Sequence, residues 1–111
     1  MEHKPFKSLT SQDFIEQIVL NKADALVKIA PQWNAAGLIL SNTFNEMSTL
    51  YRGKIDFFQL DHEEESVITS AYQVEGVPTL LFFKKGRLVD KVSGLIQRTI
   101  ISTKLEQLVN A

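Results

Sequence analysis

No cysteine occurs among the 111 residues, so the chain can form no disulfide, present no thiolate nucleophile and bind no zinc through sulfur. An excess of one charge sign is also missing: twelve Lys and Arg stand against thirteen Asp and Glu, for a formal net charge of -1 and a pI near 6.1. So balanced a chain has no summed field to condense onto phosphate or an anionic membrane, which excludes nucleic acid and membrane surfaces as default partners. Long apolar runs are absent too. Nothing approaches the ~20 consecutive apolar residues of a membrane span. The opening stretch from Met1 to Phe6 lacks the apolar segment and small-residue cleavage site of a secretory signal, so a cytoplasmic location is expected. Three scattered prolines (Pro5, Pro31, Pro78) mark no linker, and neither repeats nor low-complexity tracts occur. A hydrophobic share of 44% with 23% charged residues is that of a globular chain able to bury a core, which rules out a disordered one. One domain over residues 1–111 is the simplest expectation.

The apolar periodicity divides the chain into alternating elements. Phe6 to Leu9 is a short strand candidate. Thr10, three residues ahead of Asp13, has the spacing of a capping box, opening a helix to about Asn21 with Phe14, Ile15, Ile18 and Val19 on one face. Ala25 to Ala30 is nearly all apolar and stops at Pro31, as a central strand covered on both faces requires; Lys28 interrupts it. Asn34 is placed to cap a helix running to about Tyr51, with apolar positions Leu38, Phe44, Met47, Leu50 and Tyr51 and a polar face of Asn42, Asn45, Glu46 and Ser48. Gly53 is placed to end it.

Ile55 to Leu60 is a further apolar strand, followed by an acidic run (Asp61, Glu63, Glu64, Glu65) that suits the first turn of a helix reaching Tyr72. Thr79 to Phe83 and Arg87 to Val92 flank Lys84, Lys85 and Gly86 as an antiparallel hairpin. A closing helix carries Ile100, Ile101, Leu105, Leu108 and Val109. The order β-α-β-α-β-α-β-β-α predicts an α/β fold with a central mixed sheet flanked by helices.

Over Phe6 to Val109 this order and several local residues resemble thioredoxin. Pro31-Gln32-Trp33 stands where the family has its strand exit and the Trp preceding the redox motif, and Asp61 stands where its third strand ends in an Asp. The tract from Tyr72 through Gly76-Val77-Pro78-Thr79 to Gly86 matches the family's most distinctive segment almost position for position, and Val92-Ser93-Gly94-Leu95 resembles the turn before its last helix. The resemblance implies the thioredoxin fold.

It does not carry the family's chemistry with it. Where the family has Trp-Cys-Gly-Pro-Cys, this chain has Trp33-Asn34-Ala35-Ala36-Gly37. Neither an amide nor a hydrogen can be oxidised, so thiol–disulfide exchange is excluded and no catalytic residue is assigned. Alignment with the family also puts Lys28 at its buried acid and Phe57 at that acid's lysine partner, removing the proton-handling pair along with the thiols. A lysine in so apolar a strand either loses its solvation or extends its stem to keep the ammonium wet.

What the resemblance leaves is a groove. It implies a cis peptide bond before Pro78 and a Val77 backbone open to strand-like addition of a partner, beside Trp33, Asn34, Ala35, Ala36, Gly37, Gly94 and Leu95. The expected function is therefore redox-inactive, noncovalent binding of a protein or extended peptide, in an adaptor, assembly or chaperone-like role. Two alternatives stay open: a glutathione- or thiol-substrate-dependent enzyme using Asn34 and the Val77 backbone, and a structural or dimerising subunit. No cofactor is expected. No metal is expected either, because a strand-to-helix turn aims Asp61, His62 and Glu63 to Glu65 in different directions. The basic edge of Lys84, Lys85, Arg87 and Lys91 reads as protection of a sheet edge. Ser41 has no imidazole near it in sequence, and hydrolase chemistry has no support.

Overall fold

The computed structural model describes residues 7–8, 10–30, 35–60, 66–94 and 96–111. Its strands are β1 (Lys7–Ser8), β2 (Ala25–Ile29), β3 (Asp56–Leu60), β4 (Thr79–Lys84) and β5 (Arg87–Ser93). Its helices are α1 (Ser11–Phe14, continued as a π-helix over Ile15–Leu20), α2 (Ala35–Leu50), α3 (Ser66–Ala71) and α4 (Arg98–Val109). The strands form one sheet in the order β1-β3-β2-β4-β5. β3 runs parallel to β1 and β2, whereas β4 runs antiparallel to both β2 and β5. This is the mixed α/β sheet that the element order predicts.

All five residues of β2 are buried, because helices cover both sheet faces. Strand alternation divides the core accordingly. Ala25, Val27 and Ile29 join Phe14 and Ile18 of α1, Ile68 of α3, and Leu81 and Phe83 of β4. On the other face Leu26, Phe57, Leu80 and Phe82 meet Leu40, Phe44 and Met47 of α2 and Ile101, Leu105 and Leu108 of α4. Each large side chain so buried contributes about 1.5–3 kcal/mol. Ring contacts add geometry to area: Phe14 meets Phe83 edge-on at 5.4 Å, and Phe44 meets Phe57 at 5.2 Å.

The Thr10 capping box forms as its spacing predicts, the Thr10 hydroxyl accepting the Asp13 N–H while the Asp13 carboxylate accepts the Thr10 N–H. Several expected faces need correction. Ile15 and Val19 are 48% and 36% exposed, since the helix widens to π geometry at Ile15 and only the Phe14–Ile18 row reaches the sheet. Leu50 is 62% and Ile100 44% exposed. Adjacent apolar pairs offer a helix two candidates for one buried row, and Tyr51 and Ile101 take it. Ser48, assigned to the polar face, is buried and donates its hydroxyl proton to the Asn45 carbonyl at 2.7 Å. The acidic run Asp61 to Glu65 lies outside the described residues, and α3 begins at Ser66.

The β4–β5 hairpin is clamped onto the α1–β2 connection. Lys85 and Gly86 form its two-residue turn with φ of +52° and +81°, the doubly left-handed pattern that matches strand twist. The Gly86 N–H donates to the Ala23 carbonyl at 2.9 Å. The Asp24 carboxylate accepts the Lys85 N–H at 2.9 Å and the Lys84 ammonium at 3.0 Å. Burial pushes the Asp24 carboxyl up, but the Lys85 N–H and the Lys84 ammonium outweigh it and hold the group below its ordinary value.

A Cβ at Gly86 would stand 2.8 Å from the Val19 carbonyl oxygen and 2.9 Å from that of Ile18. Gly86→Ala is therefore expected to cost about 2–4 kcal/mol, combining left-handed strain with displacement of backbone, measured by urea denaturation. Because the folded-state carboxyl of Asp24 is depressed, its stabilisation is present above the ordinary carboxylate range and disappears as pH falls through the folded value. Asp24→Asn should lose about 1–2 kcal/mol at pH 7, and the gap to the parent should close as the pH falls through the depressed folded-state value of Asp24.

Candidate functional site

The sheet register brings three strand ends to one edge. Ile29 at the end of β2 pairs with Thr79 at the start of β4, which pairs in turn with Ser93 at the end of β5. Thr79 is fully buried; its hydroxyl donates to the Gly76 carbonyl and lies 3.0 Å from the Ser93 hydroxyl. The Val77–Pro78 peptide bond is cis. The Gly94 N–H donates to the Pro78 carbonyl at 2.8 Å, and Gly94 adopts φ +92°, a turn conformation that a glycine enters without steric cost.

Val77 stands just before β4, half-buried, and among the described residues its N–H donates no hydrogen bond and its C=O accepts none. Of the groove residues named from sequence, the structure thus gathers Val77, Pro78 and Gly94. Ala35, Ala36 and Gly37 form the first turn of α2, the helix that follows β2 from this same end of the sheet. Trp33, Asn34 and Leu95 lie outside the described residues.

Deeper in the same fold, Lys28 is only 3% exposed. Its side chain is therefore almost wholly withdrawn from solvent. The amine donates to the Ser41 hydroxyl of α2 at 2.6 Å and lies 5.3 Å from the centre of the Phe44 ring, a distance at which ring quadrupole and cation attract. Phe57, on the neighbouring strand, is 5% exposed and packs its ring against that same Phe44. The sequence offers Ser41 no base to make it a nucleophile, and the structure makes it the hydrogen-bond partner of Lys28 instead. The signal lay in its position, one turn before the buried Phe44 on the helix face that covers Lys28.

Comparison with known proteins places this geometry. The thioredoxin family model matches residues 5–107. The chain belongs to the thioredoxin family. Family members similar to it include thioredoxin 1 of Nostoc sp., 27% identical over 99 residues covering 89% of this chain and 92% of that one. Thioredoxin 2 of Chlorobaculum tepidum is 28% identical over 107 residues, covering 96% and 97%. A mutant thioredoxin from Halobacterium salinarum has the same fold, with a TM-score of 0.83 at 20% identity over 98% of this chain and 96% of that chain.

Within this thioredoxin-family chain, the absence of cysteine removes the thiols that dithiol–disulfide exchange requires. No group of three or more His, Asp or Glu side chains among the described residues is arranged to hold a metal ion. No helix among them is long and apolar enough to cross a membrane.

The Lys28 stem and its charge make separable contributions. Lys28→Met keeps the stem volume and removes the buried charge, and it should stay within about 1 kcal/mol of the parent. Lys28→Ala leaves a cavity beside Phe44 and should cost about 2–4 kcal/mol. Urea unfolding of both variants measures the difference.

Proposed function

We propose that this thioredoxin-family chain binds an extended peptide segment of a partner protein without covalent chemistry, acting as a binding module and not as an oxidoreductase. The observation that carries it is the N–H and C=O of Val77, without a hydrogen-bond partner among the described residues and held at the mouth of β4 beside Pro78 and the Gly94 turn. Partly buried backbone groups without partners are uncommon in folded proteins. An extended chain laid alongside Val77 would satisfy both, by the strand-addition mode of recognition. Its chemistry needs no sulfur on either side.

Two backbone hydrogen bonds contribute about 1–3 kcal/mol net, which alone leaves dissociation constants above about 1 mM. Neighbouring side chains must therefore supply the remaining affinity and the selectivity. A library of extended peptides selected on the chain, with paired versions containing and lacking cysteine, tests this. Binders should shift the Val77 and Gly94 amide resonances, and cysteine-free versions should bind as well as their counterparts. N-methylating the peptide residue that pairs with Val77 should weaken binding about tenfold, the loss of one well-placed hydrogen bond. Shifts elsewhere on the chain, or an N-methyl scan without effect, would overturn the proposal. Strict dependence on a peptide thiol would favour an activity on thiol substrates.

A further inference from the structure

A second surface lies at the opposite end of the sheet from Val77. β4 runs from Thr79 beside the groove to Lys84, about 16 Å away at the usual rise per residue. There the Lys85-Gly86 turn sits against the connection from α1 to β2: the Gly86 N–H donates to the Ala23 carbonyl at 2.9 Å, and a Cβ on Gly86 would stand 3.3 Å from the Cα of Lys22. Gly86 is buried by this contact, while Lys22, Lys85 and Arg87 around it are exposed. Three cations from two distant segments thus surround one turn.

Their charge is not spent within the fold. Among the described residues neither the Lys22 and Lys85 ammonium groups nor the Arg87 guanidinium makes an ion pair or a side-chain hydrogen bond. Asp24, the acid of this connection, gives one carboxylate oxygen to Lys84 at 3.0 Å and the other to the Lys85 backbone N–H at 2.9 Å. It therefore offsets Lys84 and leaves the other three cations. The carbonyl end of α1 contributes only about half a negative charge. Near the end of α2, Asp56 and Glu106 are matched in number by Arg52 and Lys54 and do not cancel the excess. Edge protection explains Arg87, on the outer strand β5, but neither Lys85 in a turn nor Lys22 on a connection. Lys22 and Lys85 have φ of +51° and +52°, left-handed positions that glycine or asparagine fills at lower cost. Lys22 stands one residue past the cap of α1, where a helix commonly ends in glycine. Lys85 leads a turn that favours asparagine before glycine. Two lysines kept where the backbone prefers another residue direct their ammonium groups to a partner outside the fold.

We infer that this end of the sheet is a docking surface for a short acidic segment of a partner protein, whose carboxylates are reached by Lys22, Lys85 and Arg87. The charge of the whole chain favours a short segment over a long polyanion. At a formal net charge of -1, the chain has no summed attraction for a uniform array such as nucleic acid, whereas a few carboxylates within about 10 Å of the turn meet only the local excess. The N–H groups of Lys22, Lys85 and Gly86 are all taken inside the fold. That leaves long side chains and no backbone cradle for a compact phosphate, and it suits carboxylates spaced along an extended segment. The surface shares no residue with the Val77 groove, so either reading can fail without the other.

Titrating the isotope-labelled chain with a capped peptide alternating glutamate and serine, its glutamine counterpart, and an oligothymidylate of equal charge tests it. The glutamate peptide should shift the Lys22, Lys85 and Arg87 amides saturably below about 5 mM at low salt, and raising salt to about 0.2 M should weaken it at least about threefold. The glutamine peptide should give no saturable shift, and the oligothymidylate should bind more weakly than the glutamate peptide. Lys22→Asn combined with Lys85→Asn should keep or raise the urea midpoint, because asparagine suits both backbone positions. The same double variant should weaken the glutamate peptide at least about fivefold, whereas arginine at both positions should hold affinity within about twofold. The inference is overturned if no saturable shift occurs, if the glutamine peptide binds as well, if the asparagine variant binds like the parent, or if shifts map to Val77 and Gly94. A lower midpoint in the asparagine variant would assign the lysines to the fold and overturn it too. Tighter binding of the oligothymidylate, or oligomerisation of the chain that the asparagine variant abolishes, would assign the surface to nucleic acid or to a second copy instead.

Discussion

β2 is buried along its whole length, and the rest of the structure is arranged around that constraint. A strand with no solvent-facing side needs hydrogen-bonding partners on both edges and apolar cover on both faces. β3 and β4 supply the first, and the α1–α3 and α2–α4 layers supply the second. The crossovers required to place a parallel neighbour on one edge and an antiparallel one on the other bring the strand ends at Ile29, Thr79 and Ser93 to one place. Val77 and the Gly94 turn are positioned by that register and by the hydrogen bond from the Gly94 N–H to the Pro78 carbonyl.

Lys28 is the one cation set within that buried strand, at the position where alignment with the family expects an acid. Its surroundings have changed with it. The position of the family's lysine partner is Phe57, whose ring joins Phe44 to make an aromatic wall, and Ser41 accepts the amine. A buried ammonium held by a hydroxyl and a ring is costly to desolvate but satisfied. The chain thus lacks both the thiols and, at Lys28, the acid that the family resemblance leads one to expect. It retains the means to position backbone.

Element order, fold class and the central strand were legible in the sequence because they depend on periodicity and punctuation, which are local. The Thr10 capping box and the Lys85-Gly86 turn were legible for the same reason. The buried faces of α1, α2 and α4 were only partly so, because side-by-side apolar residues such as Leu50-Tyr51 and Ile100-Ile101 differ in burial by a rotation that only the opposing layer sets. Groove residues Val77, Pro78 and Gly94 were named through family resemblance; composition would not have singled them out. The Lys28–Ser41 bond spans a strand and a helix, and no spacing in the chain encodes it.

By itself the sequence determined that this chain supplies no thiol for dithiol–disulfide exchange, since it contains no cysteine, and it determined the alternation of strands and helices through the periods of its apolar residues. Tertiary structure alone decided which polar groups are left over. Whether the Val77 amide is paired, whether Lys28 is withdrawn from solvent, and whether Lys22 and Lys85 share one surface all depend on distances between segments far apart in the chain. Those distances follow from packing two helical layers on one sheet, a property of the whole fold and of no local stretch.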